Sequence, residues 1–139
     1  MISRVLVPMD DSEMAESALE YALEAHPDAE ITVVHIVGEP SSMMVEAASL
    51  ALEDDIEEAA EERASAVLSR AREIARAHDI ELETDVARGN PAKAIIDRAG
   101  NFDVVVIGSH GGSLTDRLFV GNIAQKVFRR SPVPVTVVR

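Results

Sequence analysis

The sequence predicts an α/β fold in which helices cover both faces of an open, parallel, five-stranded sheet of order 3-2-1-4-5, a three-layer, Rossmann-like architecture. Three observations point there. Strand-like and helix-like patterns alternate along all 139 residues, as parallel strands joined by helical crossovers require. The segment "DVVVIG", 103 to 108, is an unbroken apolar run of the kind buried on both faces of a parallel sheet. Right-handed crossovers between such strands favour a doubly wound sheet, for which 3-2-1-4-5 is a common order.

Each element has a local reason. "ISRVLV", 2 to 7, reads as the first strand and is stopped by Pro8. A helix from Ser12 to Ala25 places Ala15, Ala18, Leu19, Ala22 and Leu23 on one face, and His26-Pro27 ends it. "ITVVHIV", 31 to 37, is the second strand, and "GEPSSMM" after it is a connector. A long helix from Val45 to His78 repeats Ile56, Ala60, Ala64, Val67, Ala71 and Ile74 at spacings of three and four, with Glu57, Glu58, Glu61 and Glu62 on a solvated face. "IELETDVA", 80 to 87, is the third strand, with Ile80, Leu82, Thr84 and Val86 alternating. Asn90 as N-cap and Pro91 as first helical residue set a short helix over 91–99. The fourth strand is 103–108, a helix runs from Gly121 to Arg130, and "VPVTVV", 133 to 138, is the fifth strand.

Composition narrows the function. A chain of 139 residues suits one domain, and no repeat, linker or low-complexity tract divides it. The absence of cysteine excludes disulfides, thiolate catalysis and Cys-based metal sites. Twenty-five acidic against 13 basic residues give a formal charge of −12, which repels nucleic acid and anionic membranes, so neither is an expected partner. Only Lys93 and Lys126 are lysines; a lysine-poor acidic surface suits a high-salt cytoplasm, an ordinary acidic protein being the alternative. The N-terminus leads directly into a strand with no apolar leader or span, so a cytoplasmic location is expected.

In a sheet of this order ligands bind beyond the carboxyl ends of the strands where the order reverses, between strands one and four. "PMDDS", 8 to 12, and the loop after strand four meet there. That loop carries Gly108, Gly111 and Gly121, spaced G-x2-G-x9-G. Glycines let a backbone approach a pyrophosphate closely, and amides of the loop and of the helix starting near Gly121 can donate to phosphate oxygens. The P-loop pattern and the dinucleotide fingerprint G-x-G-x-x-G are both absent.

"RVLVPMDDSE", "HIV" at 35 to 37, "GNPAKAII", "DVVVIGSHG" and "SPVPVTVV" together resemble the universal stress protein family over essentially the whole chain. The glycine spacing is similar to that of the family's ATP-binding branch. The resemblance implies an adenine nucleotide alpha hydrolase-like fold, a site for ATP (or AMP or ADP) with Mg²⁺, and a homodimer formed through the last strand, 133–138. It implies that Asp10 meets the ribose, that Ile36 lies against adenine, and that Gly108, His110, Gly111, Gly121 and Asn122 follow the ribose and phosphates. Pro8, Met9, Ile107, Ile123 and Ala124 complete the implied lining. The chain departs from the family pattern at Asn122, where serine or threonine is usual, and at Ala124, often serine. Weakened rather than abolished binding is expected, because backbone amides do not depend on those side chains.

Plainer readings stand beside these. Asp10 or Asp11 can cap the first helix, with Glu13 completing a box-like pattern, and for Asp10 capping and binding are compatible. His110 reads as a solvent-exposed loop histidine rather than a metal ligand, His35 packs near its strand end, and His26 and His78 mark helix ends. Arg117 either reaches a phosphate or is a surface residue. Neighbouring Ser109 and His110 do not form a hydrolase elbow, and Asp85 falls too early in its strand for a phospho-receiver. No general base or positioned water is evident, so efficient turnover is not expected. Two readings remain: a nucleotide-binding stress protein, and a nucleotide-free interaction module of the same fold in which the glycines serve only the turn.

Overall fold

The computed structural model describes residues 1–38, 50–110 and 121–139, with the side chains of the long helix described from Asp55 onward. Its strands are β1 (Arg4–Pro8), β2 (Glu30–Val37), β3 (Glu83–Arg88), β4 (Val104–Gly108) and β5 (Val135–Val138). The helices are α1 (Glu13–Ala25), α2 (Leu50–Ala77), α3 (Pro91–Ala99) and α4 (Asn122–Arg130). The sheet order is β3-β2-β1-β4-β5 with every pair parallel, as the alternation of patterns predicts.

Strand periodicity divides the core in two. Val5, Val7, Ile31, Val33, Val104 and Val106 face one side, packed with Ala18, Leu19 and Leu23 of α1 and Val67, Ala71 and Ile74 of α2. Leu6, Val34, Val105 and Ile107 face the other, packed with Ala92 and Ile95 of α3 and Ala124 and Val127 of α4. β1 and β4, central in the sheet, are therefore covered on both faces, which is why their sequences are so uniformly apolar.

Some boundaries differ from the sequence reading for identifiable reasons. β3 begins at Glu83, not Ile80, because the Ile80 amide donates to the Ala75 carbonyl at 3.0 Å and is still closing α2. Ile80 and Leu82 anchor the chain against the α1/α2 core instead of joining the ladder. Val86 is 44% exposed while Ala87 is buried, so the expected inward alternation of this edge strand fails. β5 begins at Val135, after Pro134, which has no amide to give a ladder. Residues 45–49, expected to open the long helix, lie outside the described residues.

Asn90 caps α3 as expected, its side chain accepting from the Lys93 amide at 3.1 Å with Pro91 next in the helix. At the amino end of the sheet the Asp103 carboxylate accepts the amides of Ser3 (2.8 Å) and Arg4 (2.9 Å), tying the entries of β1 and β4 together. The Ser3 bond first, then that of Arg4, holds this carboxyl below the usual carboxylate range.

Candidate functional site

β1 and β4 end side by side, and their chains then diverge toward α1 and α4. The Met9 amide extends the sheet by one bond to the Val34 carbonyl at 2.9 Å. Its carbonyl accepts a hydrogen bond from Nδ1 of buried His35 at 2.9 Å, so both backbone polar groups of Met9 are held by β2. The chain must leave the sheet at residue 9 and turn before a helix can start. Ser12, not Asp10 or Asp11, is the N-cap of α1: its Oγ accepts from the Ala15 amide at 3.2 Å. The Glu16 amide makes the first intrahelical bond, to the Ser12 carbonyl, which fixes Ser12 as the residue flanking the helix and puts its hydroxyl within reach of an opening amide. Asp10 instead uses Oδ1 to accept from the Ser12 amide at 2.9 Å and from the Ser12 hydroxyl, which steadies the turn and leaves Oδ2 without a partner among these bonds.

On the β4 side the Ser109 amide donates to the Val138 carbonyl (2.7 Å) and the Ser109 carbonyl accepts from the Gly121 amide (2.5 Å). Ser109 Oγ lies 3.0 Å from His110 Nδ1, and His110 is half-buried, not the solvent-exposed loop residue its sequence setting suggests. The Gln125 amide makes the first intrahelical bond of α4, to the Gly121 carbonyl. Because Gly121 is the N-cap and offers no side-chain bond, the amides of Asn122, Ile123 and Ala124 open α4 with neither an intrahelical acceptor nor a capping side chain.

Gly108 and Gly121 have structural reasons that the sequence did not disclose. A Cβ on Gly108 would lie 2.8 Å from Met14 Cγ and 3.0 Å from the Met14 carbonyl oxygen, so glycine there admits α1 against β4. A Cβ on Gly121 would lie 3.1 Å from the Ser109 carbonyl oxygen. Since Gly121 has φ −65°, space and not backbone conformation demands glycine at this position. The Gly121 amide, expected to face a phosphate, is taken by Ser109. Gly111 and Arg117 lie outside the described residues.

The diverging chains leave a cavity of about 500 Å³, within the range of small-molecule sites. Pro8 of β1 and the following Met9 and Asp10 line it, together with Ile36 of β2, Ile107 and Gly108 of β4 with His110 just beyond, and Gly121 with Asn122, Ile123 and Ala124 at the start of α4. The structure thus gathers into one place every sequence-predicted site residue that it describes. Five more were missed: Ser12, Ala15, Pro91, Ile95 and Ser109. Pro91 and Ile95 stand one helical turn apart at the start of α3, which leaves the same end of the sheet as α1 and α4; that topological rule could have found them.

The lining is mostly apolar, and Asp10 supplies the one carboxylate, with no lysine or arginine among the described lining residues. An anion here would rely on oriented amides and the positive end of α4 rather than on a cationic side chain. Among the described residues no group of three or more histidine, aspartate or glutamate side chains could hold a metal ion. Among the described residues, too, no helix is long and apolar enough to cross a membrane.

A profile described as the universal stress protein family matches residues 1–139. Universal stress protein YxiE of Bacillus subtilis (strain 168) is 30% identical over 151 aligned positions, spanning 100% of each chain. Of solved structures, universal stress protein UspA from Lactobacillus plantarum superposes with a TM-score of 0.83 at 24% identity, covering 99% of this chain and 98% of that one. A universal stress protein in complex with cAMP superposes with a TM-score of 0.73 at 23% identity, covering 99% and 97%. A family protein from Arabidopsis thaliana with AMP bound gives a TM-score of 0.70 at 16% identity, covering 98% and 90%.

Proposed function

Because the chain belongs to the universal stress protein family, we propose that it is an adenine-nucleotide-binding stress protein whose ligand lies in the crevice between β1 and β4. The observation that carries this reading is the uncapped start of α4, whose first amides open onto an apolar cavity at the reversal of the sheet. Ile36 and Ile95 supply apolar walls for a purine, and Asp10, its Oδ1 already engaged by Ser12, turns the rest of its carboxylate to ribose hydroxyls. The phosphates run toward Asn122, Ile123 and Ala124. Relatives holding cAMP and AMP support the choice of adenine.

The nucleotide is ATP, with AMP or ADP as further ligands of the same crevice. The described lining offers no cation and no metal-ligand set, so Mg²⁺ would arrive on the phosphates themselves and neutralise them there. Nucleotide binding then biases a cytoplasmic homodimer whose contact is the β5 edge. β5 ends the sheet, no other described strand pairs with its outer side, and Val135 to Val138 are only half-buried, which leaves a strand edge suited to pairing with a second copy.

The nucleotide-free reading draws on a specific observation. Gly108 and Gly121 are both explained by packing, and the Gly121 amide is already bonded to Ser109. Chromatography of the supernatant from denatured, purified protein, followed by calorimetric titration with AMP and with ATP plus Mg²⁺, separates the two. Released adenine nucleotide or saturable heat supports a nucleotide-binding protein; neither in both assays leaves an interaction module.

A further inference from the structure

The chain's charge is segregated. The last nineteen residues, 121–139, contain Lys126, Arg129, Arg130 and Arg139 and no acidic side chain, so all 25 acidic residues lie in the first 120. Lys126, Arg129 and Arg130 are spaced by three and four on α4, which puts them on one exposed face of that helix. None forms an ion pair with another described residue.

The opposite charge is concentrated on α2. This helix has 28 residues, about 42 Å at 1.5 Å per residue, while the longest strand beneath it has eight, about 26 Å. Among its described side chains, fully buried ones begin only at Ala64; from Asp55 to Arg63 none is fully buried, and Ile56 and Ala60 are half-buried. This stretch carries Asp55, Glu57, Glu58, Glu61 and Glu62, and no ion pair with a described residue uses any of them. Asp55–Glu58, Glu57–Glu61, Glu58–Glu61 and Glu58–Glu62 are like-charge pairs at helical spacing, each of them unfavourable. Two and a half turns of helix therefore present exposed like charges and no fully buried side chain, a condition that cations alongside would relieve.

We propose that the basic face of α4, Lys126, Arg129 and Arg130, docks the acidic overhang of α2 on a second copy of the chain. The two surfaces cannot meet within one molecule, because α2 packs on one face of the sheet and α4 on the other. Both complementary halves are present on the same chain, which argues for a second copy over a foreign acidic partner. The contact joins two different surfaces, so it is heterologous and propagates from copy to copy unless it closes into a ring. It is independent of β5 pairing, which buries apolar edge and backbone rather than charge.

Sedimentation velocity across a concentration series tests this, at about 0.1 M salt, where screening acts over about 10 Å, and at about 1 M, where it acts over about 3 Å. The wild type is expected to gain mass with concentration at the lower salt beyond any salt-insensitive dimer, and to lose that gain at the higher. K126E/R129E/R130E and, separately, E57K/E58K/E61K/E62K are each expected to abolish it, with folding checked by circular dichroism. Should either variant misfold, the neutralised R129Q/R130Q and E58Q/E62Q proteins replace it and should reduce the gain. Mixing the two reversed variants, each of which lacks its own complement, should restore a salt-sensitive complex. A wild-type mass indifferent to salt overturns the proposal, as does association that survives the α4 reversal. So does a mixture of the reversed variants that fails to associate, which would leave an acidic partner other than this chain.

Discussion

Replacing Gly108 with alanine tests why a glycine stands where β4 reaches the crevice. The added Cβ would lie 2.8 Å from Met14 Cγ, 3.0 Å from the Met14 carbonyl oxygen and 3.1 Å from its carbonyl carbon. Optimal carbon contacts begin at about 3.5 Å, so every one of these is an overlap. The Met14 side chain is flexible and can swing away, but its carbonyl belongs to the first turn of α1 and retreats only if the helix moves. Overpacking of this kind costs about 1–3 kcal/mol, which for a chain of this length lowers the melting midpoint by roughly 3–10 °C. Urea unfolding followed by circular dichroism reads the loss directly. Adding Met14→Ala should return only the side-chain part, because the carbonyl overlap persists. If Gly108→Ala leaves the midpoint unchanged and lowers only nucleotide affinity, the close approach of α1 to β4 is not what requires glycine and the packing account is wrong.

Two other outcomes follow from the same geometry. Ile123, 44% exposed and second in α4, can be changed to glutamate; a carboxylate there favours the positive helix end by about 0.3–1 kcal/mol yet occupies the phosphate's place. Nucleotide affinity should fall by about tenfold or more while stability holds or rises, and an unchanged affinity in calorimetry would place the phosphate elsewhere. Asp103, held low by the Ser3 and Arg4 amides, contributes stability that is present above the unfolded carboxyl value of about 3.9 and disappears as pH falls through the lower folded value. Asp103→Asn should therefore be less stable than wild type at neutral pH, with the two curves converging in acid; a gap that stays constant from pH 7 to pH 2 contradicts this.

The sheet order was legible because each strand–helix unit carries its own periodicity and right-handed crossovers leave few arrangements. The Asn90-Pro91 start of α3 was legible for a similar reason, being a purely local signal. What escaped depends on partners distant in sequence. Ile80 looks like a strand residue until the Ala75 carbonyl claims its amide, and Asp10 or Asp11 looks like the cap until Ser12 is seen accepting the Ala15 amide. The packing reasons for glycine at 108 and 121 escaped in the same way. Met14 and Ser109 crowd them in space, and nothing in the spacing of three glycines distinguishes room for a ligand from room for a neighbouring helix. Pro91 and Ile95 reach the cavity through the topology of α3 rather than through any motif.

The account rests on the first amides of α4 receiving a phosphate. Amide-resolved NMR of the labelled protein titrated with AMP, then with ATP and Mg²⁺, reads those groups directly. The largest shifts are expected at Asn122, Ile123 and Ala124, with lesser ones at Asp10 and Ile36, while Gly121, bonded to Ser109, moves little. Saturable binding that leaves 122–124 unshifted, or no shifts at all at millimolar nucleotide, would contradict it.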